Sequence, residues 1–190
     1  MPLQPWEHLN EETLARYKVF DVVKARRRSP RTGQDLGFFL IRTEDWVNVV
    51  PVTDEGRLIL VRQYRHGTET FTLEIPGGLI HRGEDPALAA ARELREETGY
   101  AARELRPLGR VRPNPALFGN VCHTYLACGC ARVGELEMDS GEDIEVVEVP
   151  LAEVPGLVRA GGIDHALVVA ALYFHDLDSQ VRAPAREPGS

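Results

Sequence analysis

One stretch of this sequence has well marked helix boundaries, and it constrains the fold more than any other. Asp85 is a good N-cap residue, and Pro86 fits the first helical position, where a missing backbone N–H costs nothing. Residues 87–98 are nearly all strong helix formers, and Gly99 supplies a left-handed stop. The sequence therefore predicts a helix over residues 86–98. Its apolar face, which we expect to pack on a sheet, carries Ala87, Ala91 and Leu94.

The same helix concentrates negative charge on one face. Glu93, Glu96 and Glu97 stand at positions i, i+3 and i+4, so their carboxylates project in one direction. Like charges at this spacing repel, and the last turns already carry the negative end of the helix dipole; each effect costs about 0.2–1 kcal/mol. Divalent cations would relieve this conflict, since Mg²⁺ and Mn²⁺ prefer hard oxygen ligands. Taken alone, the three glutamates would favour an acidic surface helix with Glu–Arg pairs.

The residues around the helix match a family motif. Gly78 is followed after five residues by Glu84, and after seven more by Arg92-Glu93-Leu94-Arg95-Glu96-Glu97-Thr98-Gly99-Tyr100. This segment resembles the Nudix box, G-x5-E-x7-R-E-U-x-E-E-x-G-U with U a bulky apolar residue, at every fixed position. The aromatic Tyr100 is its mild departure. The resemblance implies an α+β Nudix fold, in which a mixed β-sheet is sandwiched between helices as an α/β/α arrangement.

The resemblance also implies a metal-dependent hydrolase of phosphoanhydride bonds. A pyrophosphate repels an incoming hydroxide, so metal ions must neutralise its oxygens and activate water. The cofactor implied is Mg²⁺, with Mn²⁺ as the alternative. Arg92 would orient the glutamates, Glu96 would take part in catalysis as well as in metal binding, and Glu84 would hydrogen-bond within the loop. The implied metal ligands are Glu93, Glu96, Glu97 and the backbone carbonyl of Gly77.

Segments outside the box resemble the ADP-ribose pyrophosphatase branch of the family. They are residues 46–50, 61–67 and 73–78, together with a proline, Pro115, that stands fifteen residues after Tyr100. The branch implies hydrolysis of a nucleoside diphosphate sugar, such as ADP-ribose or GDP-mannose, to a nucleoside monophosphate and a sugar phosphate. Two alternatives stay open: another Nudix substrate, such as a nucleoside triphosphate or a dinucleoside polyphosphate, and a catalytically silent binding domain.

Three residues are candidates for substrate contacts. Arg65, near the end of a predicted strand, suits fork-shaped hydrogen bonds to a diphosphate, with a surface ion pair as the alternative. Trp46 and Phe118 offer rings that could stack on a base, although filling the core is the more common use of such residues.

The catalytic base of this branch often lies in an acidic loop with the sequence Glu-Asn-Glu-Asp. The matching run here is Met138-Asp139-Ser140-Gly141-Glu142-Asp143, so a serine replaces one of the expected carboxylates. Glu142 aligns with the second glutamate and is our candidate for the base, with a role as metal ligand left open. A plain acidic turn is the alternative.

Composition excludes several classes of protein. A net charge of −7 over 190 residues argues against general nucleic-acid binding, which needs Lys and Arg to neutralise phosphates. The longest apolar run, residues 166–174, is too short to span a bilayer, so we expect no membrane association.

The three cysteines, Cys122, Cys128 and Cys130, are separated by even numbers of residues, so we expect all three on one face of a strand as small hydrophobes. A zinc site with His123 is disfavoured, because His123 would point to the opposite face. Unpaired thiols and the lack of a signal peptide favour the cytoplasm.

The remaining pattern predicts a single enzyme domain with an N-terminal strand region. Residues 7–16 read as a short helix or turn, and strands at 17–24 and 38–43 flank a basic turn at Arg26–Arg28. We divide the chain into an N-terminal strand region (1–43), a Nudix domain (44–181) and a disordered tail (182–190), and expect a homodimer built through residues 17–43. Further predicted strands cover 46–50, 58–63, 71–75, 121–131 and 144–149, and further helices cover 151–160 and 164–176.

Overall fold

The computed structural model describes residues 2–137 and 143–182. In these ranges the chain forms two compact units: described residues up to Asp45 with Arg112–Val121, and the described remainder. The helices are α1 (Pro86–Thr98), α2 (Val154–Arg159), which follows a 3-10 turn at Leu151–Glu153, and α3 (Ala166–Arg182). The strands are β1 (Glu7–Arg16), β2 (Asp21–Arg28), β3 (Asp35–Arg42), β4 (Trp46–Val52), β5 (Arg57–Arg65), β6 (Thr70–Glu74), β7 (Gly77–Leu79), β8 (Tyr100–Ala101), β9 (Glu104–Val111), β10 (Cys122–Cys128), β11 (Ala131–Arg132) and β12 (Ile144–Pro150).

The first unit is a three-stranded antiparallel sheet in the order β1-β2-β3. The predicted helix or turn at residues 7–16 was wrong, because that segment is strand β1. Its acidic residues face basic partners on the neighbouring strands: Glu11 accepts hydrogen bonds from Arg27 at 2.6 Å and from Arg42 at 2.7 Å. Cross-strand pairing of this kind outweighs the weak helix propensity of the segment.

The basic cluster lies in a strand rather than in a turn, which also corrects the sequence prediction. Arg26–Arg28 are the last residues of β2, and the turn follows them at residues 29–34. There the hydroxyl of Ser29 accepts hydrogen bonds from the backbone N–H groups of Arg31 and Thr32, both at 3.3 Å. The predicted hairpin therefore forms, with its strands extended further toward the tip.

The second unit contains a seven-stranded mixed sheet, and this confirms the predicted fold class. The path is β12-β5-β4-β10-β9, in which only the β4–β10 pair is parallel. Strands β4 and β5 form the predicted hairpin but pair only at Val52 and Leu58 before they diverge. Beyond that point β6 pairs with β5, and β7 pairs with β4. The divergence brings Gly77 beside Asn48, at the start of the glycine-rich segment that leads toward α1.

Helices cover both faces of this sheet. On one face α1 contributes Ala89, Ala90 and Leu94 to a core that includes Val47 and Val49 of β4. On the other face α2 and α3 cover a second core around Val50, Leu58, Leu60 and Leu126. The predicted apolar face of α1 was therefore only partly right: Leu94 is buried, whereas Ala87 is half-buried and Ala91 is exposed. The contact face is rotated toward Ala89 and Ala90.

The three cysteines do not share one face of a strand, contrary to the prediction. β10 ends at Cys128, and Gly129 (φ 62°) turns the chain, so that Cys130 joins the core under α1 while Cys128 packs with the opposite core. All three are free thiols, and burial raises the pKa of Cys130 to about 12. They behave as small core residues. Among the described residues, no helix is both long enough and apolar enough to cross a membrane.

Candidate active site on the carboxylate helix

The caps of α1 are those the sequence predicts, and the helix limits are confirmed. The Asp85 carboxylate accepts a hydrogen bond from the backbone N–H of Ala87 at 2.8 Å. At the other end Gly99 has φ 72°, and its N–H donates to the carbonyl of Arg95. These caps fix where the helix begins and ends, and therefore which way its glutamates point.

Arg92 organises the acidic side chains around it. Its Nε and Nη2 donate to both oxygens of Glu84, at 2.9 and 3.0 Å. Its Nη1 donates to Glu93 at 2.8 Å and to Glu96 at 3.0 Å, and Nη2 also donates to the carbonyl of Leu79 at 3.0 Å. A guanidinium has five N–H groups, and all are used here. The pKa of Arg92 is raised further above its usual value, first by Glu84 and then by Glu93.

Glu84 links this arginine to the loop that precedes the helix. Besides the two bonds from Arg92, its Oε2 accepts the backbone N–H of His81 at 2.8 Å. These hydrogen bonds, with that of Arg92 contributing most, lower the pKa of Glu84 from 4.5 to about 2. Glu84 is therefore ionised at neutral pH and holds the loop against the helix.

Glu93 and Glu97 are buried, with 9 % and 5 % of their surface exposed. Glu97 Oε2 accepts the backbone N–H of Gly77 at 3.0 Å, which ties the end of the helix to β7. A Cβ atom on Gly78 would collide with the carboxylate of Glu93, and one on Gly77 would collide with the carbonyl oxygen of Val47. Gly78 is thus required for the loop to approach Glu93 closely, and Gly77 for the loop to approach β4.

The donor set suits a hard divalent cation. Glu84, Glu93 and Glu96 pair with a single arginine, so their negative charge exceeds the positive charge of Arg92, and the burial of Glu93 makes that excess costly. Within residues 2–137 and 143–182, no group of three or more His, Cys, Asp or Glu side chains is arranged as a ready metal site. Glu93 Oε1 and Glu96 Oε2 both accept hydrogen bonds from Nη1 of Arg92, so one arginine N–H₂ group holds the two carboxylates together.

The candidate substrate residues are placed differently from one another. The fork of Arg65 engages Glu74, through Nε to Oε1 and Nη2 to Oε2, both at 2.8 Å, which is the ion-pair alternative. Trp46 begins β4 half-buried, in register with Leu79 of β7. Phe118 belongs to the first unit, where it is half-buried and bridges to Ile41. Glu142, the candidate base, lies outside the described residues.

Sequence reasoning missed the buried carboxylate of Glu74. It is 3 % exposed, and it accepts hydrogen bonds from Arg65 and, at 2.6 Å, from the hydroxyl of Thr72, while His165 Nδ1 lies 3.5 Å from Oε2. The available signal was a lone charged residue between Leu73 and Ile75, because a charge inside an apolar strand needs a dedicated partner.

Comparisons with known proteins agree with this geometry. The model of the NUDIX domain matches residues 43–172. The chain therefore belongs to the Nudix family of hydrolases. It is 32% identical to the ADP-ribose pyrophosphatase of Bacillus subtilis (strain 168) over 92% of this chain and 97% of that protein. It is also 32% identical to the ADP compounds hydrolase NudE of Escherichia coli (strain K12), over 87% and 89% of the two chains.

A solved structure resembles the whole fold. The crystal structure of an ADP compounds hydrolase superposes with a TM-score of 0.86 at 31% identity, covering 96% of this chain and 98% of that one. Together with the relatives, this similarity supports membership of the branch that the sequence resembles.

Proposed function

We propose that this protein hydrolyses the pyrophosphate bond of a nucleoside diphosphate sugar, releasing a nucleoside monophosphate and a sugar phosphate. The observation that carries the proposal is the cluster of Glu84, Glu93 and Glu96 around Arg92, with Glu97 bonded to the backbone of Gly77 in the adjacent glycine loop. Relatives named for ADP-ribose and for ADP compounds make ADP-ribose the first substrate to test.

The metal we propose is Mg²⁺, with Mn²⁺ as the alternative, since Nudix hydrolases generally use divalent cations. Glu93, Glu96, Glu97 and the carbonyl of Gly77 are the proposed ligands. A cation held there would neutralise diphosphate oxygens and lower the pKa of bound water. Glu93 and Glu97 are buried, so they would present their oxygens from a fixed position once the ion binds.

The other side chains of the site have supporting roles in this proposal. Arg92 and Glu84 fix the orientation of the helix glutamates relative to the loop. Glu142 accepts the proton of the attacking water, because the box carboxylates are engaged by metal and arginine. Arg65, whose side chain is 46% exposed, is proposed to contact the diphosphate while its Nε and Nη2 stay hydrogen-bonded to Glu74. Trp46 and Phe118 remain the candidates for contacts to the base.

A substrate screen tests the proposal. The purified chain is incubated with ADP-ribose, other nucleotide sugars, dinucleoside polyphosphates and nucleoside triphosphates, each with Mg²⁺ and with EDTA, and products are identified by mass. We expect Mg²⁺-dependent conversion of nucleotide sugars to a nucleoside monophosphate and a sugar phosphate. Cleavage of triphosphates alone would refute the branch assignment, and the absence of any cleavage would favour a silent binding domain.

A further inference from the structure

We propose that a polar cavity beside the C-terminal end of α1 is a second ligand site, specific for a small phosphorylated molecule that also carries hydroxyl groups. The cavity has a volume of about 360 Å³, within the usual range for small-molecule sites. It lies entirely within the second unit. Its walls include Arg57, Tyr100, Arg132, Leu136, Val146 and Glu148.

The cavity is separate from the catalytic carboxylates. Its described lining contains none of Glu93, Glu96 and Glu97. It is built by Arg57 at the start of β5, Val146 and Glu148 in the middle of β12, the short β8–β11 pair, and Thr98, the last residue of α1. The proposed site therefore does not depend on the proposed function.

Tyr100 gives the cavity its polar character, and it is the residue at which the box departs from an aliphatic side chain. Its hydroxyl donates to Glu148 Oε1 at 2.6 Å. The other oxygen, Oε2, accepts from Nε of Arg57 at 2.9 Å, and the backbone carbonyl of Glu148 accepts from Nη2 of Arg57 at 2.7 Å. An aliphatic residue at position 100 would leave one carboxylate oxygen without this donor, so the tyrosine completes a fixed polar wall.

The described lining of the cavity carries two guanidinium groups and one carboxylate. Arg132 pairs across the strands with Tyr100 and adds a second guanidinium, whereas Glu148 is the lining carboxylate. Arg132 donates to the carbonyl of Gly134 at 3.3 Å and to Glu135 at 3.0 Å, and Glu135 is 90% exposed, so that pair is weak. In the part of the chain that the structure describes, hydrogen bonds use two N–H donors of Arg57 and two of Arg132. Each guanidinium carries five such donors.

The remaining donors suit a phosphate group. Guanidinium forks match phosphate oxygens in geometry and charge, and two of them in one concave site can bind both sides of a phosphate. Glu148, held by Arg57 and Tyr100, can accept hydrogen bonds from ligand hydroxyls, while Leu136 and Val146 provide apolar contact. Among small metabolites, this combination is best matched by a sugar phosphate.

Calorimetry on the intact chain tests the site directly. The probes are inorganic phosphate, ribose 5-phosphate and ribose, all in EDTA so that no divalent cation recruits them to the carboxylate cluster. We expect ribose 5-phosphate to bind at one site, phosphate to bind there more weakly, and ribose not to bind. Arg132→Gln should raise the Kd for ribose 5-phosphate at least about tenfold, because charge-assisted hydrogen bonds are lost. Tyr100→Phe should weaken binding while leaving the thermal unfolding midpoint close to that of the parent.

Two control variants separate this site from general electrostatics and from catalysis. Arg103→Gln removes an exposed arginine that pairs with Asp54, outside the cavity, and should leave the Kd unchanged. Glu97→Gln should also leave it unchanged. The proposal is overturned if the wild-type chain binds neither phosphate compound, if Arg132→Gln and Tyr100→Phe bind as well as wild type, or if Glu97→Gln abolishes binding.

Discussion

At the scale of single residues, Glu97 offers the sharpest test of the metal site. Its side chain is buried, and its carboxylate accepts a hydrogen bond from the backbone N–H of Gly77 in the loop. Glu97→Gln keeps the shape and removes the charge, so we expect kcat at saturating Mg²⁺ to fall on the order of 10²-fold or more with an unchanged fold. Steady-state kinetics at varied Mg²⁺, with circular dichroism, measures both quantities. Glu145→Gln, on the exposed edge of β12, is the matched control and should keep normal turnover. Ordinary kcat of Glu97→Gln at limiting Mg²⁺ would remove Glu97 from the metal site.

The catalytic base is a second residue-scale question, and it falls outside the described residues. We expect Glu142→Gln to lower kcat on the order of 10²-fold, the scale typical of losing a positioned general base. Asp139→Asn and Asp143→Asn serve as controls and should remain active. If one of those controls loses activity while Glu142→Gln keeps it, the base is that aspartate. If all three variants stay active, metal and box glutamates alone must activate the water.

Glu84 should make the protein sensitive to acid. Its pKa falls from 4.5 to about 2 on folding, chiefly through the hydrogen bonds from Arg92. A carboxylate with a lowered folded-state pKa stabilises the protein above its unfolded-state pKa, and that contribution is lost as pH falls from about 4.5 toward about 2. Urea unfolding across this range should therefore show a smaller loss of unfolding free energy for Glu84→Gln than for wild type. Glu145→Gln, at an exposed glutamate, is the reference and should lose unfolding free energy with pH as wild type does. If Glu84→Gln also lost as much unfolding free energy as wild type, this assignment would be contradicted.

At the scale of secondary-structure elements, the end of α1 depends on Gly99. Gly99 and Gly56 have nearly the same left-handed backbone, φ 72° and 73°, but a Cβ on Gly99 would collide with the carbonyl oxygen of Gly134, whereas one on Gly56 would meet nothing within 4 Å. Gly56→Ala should therefore cost only the backbone strain, about 1–2 kcal/mol of unfolding free energy. Gly99→Ala should cost more, because the chain after α1 must also move. Chemical unfolding of the two variants tests this, and equal losses would show that the contact is unimportant.

The same helix explains which parts of the structure were predictable from sequence. Its limits follow from Asp85 and Gly99, which act on adjacent backbone groups, and the grouping of its glutamates follows from helical spacing alone. Strand β1 was missed because its stability comes from pairing with β2, the next strand of the chain, rather than from the preferences of its own residues. Local propensity carries no information about such a partner.

The residues of the candidate site were likewise predictable from sequence only in part. The grouping of Glu93 and Glu96 follows from helical spacing, whereas the places of Arg92 and Glu84 beside them were implied by the resemblance to the Nudix box. The pairing of Arg65 with Glu74 depends on how β6 pairs with β5, where Val61 faces Glu74 and Arg65 faces Thr70. The buried face of α1 likewise depends on how the helix sits on β4, which is why Ala89 and Ala90 are buried rather than Ala91. Register and packing angle are properties of the assembled sheet.

At the scale of the whole molecule, the N-terminal sheet has exposed apolar side chains of the kind found in protein–protein interfaces. Its exposed large apolar side chains include Leu14 on β1 and Phe39, which is 61% exposed on β3, and the exposed Trp6 lies just before β1. In the three-stranded sheet β3 is also an edge strand, bridged at Ile41 by residues 117 and 118, and exposed apolar surface on an edge strand favours association with another chain. We therefore propose a homodimer formed through this sheet, with a second copy of the chain as the partner.

A single charge placed on that surface tests the dimer. Wild-type protein should elute with twice the mass of the chain in size-exclusion chromatography with light scattering. Phe39→Asp should shift the protein to the monomer, because an unpaired buried carboxylate at the interface costs several kcal/mol, while the isolated fold tolerates a polar residue at an exposed strand position. Phe71→Asp introduces the same change at a phenylalanine of β6 that is 65% exposed, and it should remain dimeric. A monomeric wild-type protein, or a Phe39→Asp variant that stays dimeric, would exclude this surface as the interface.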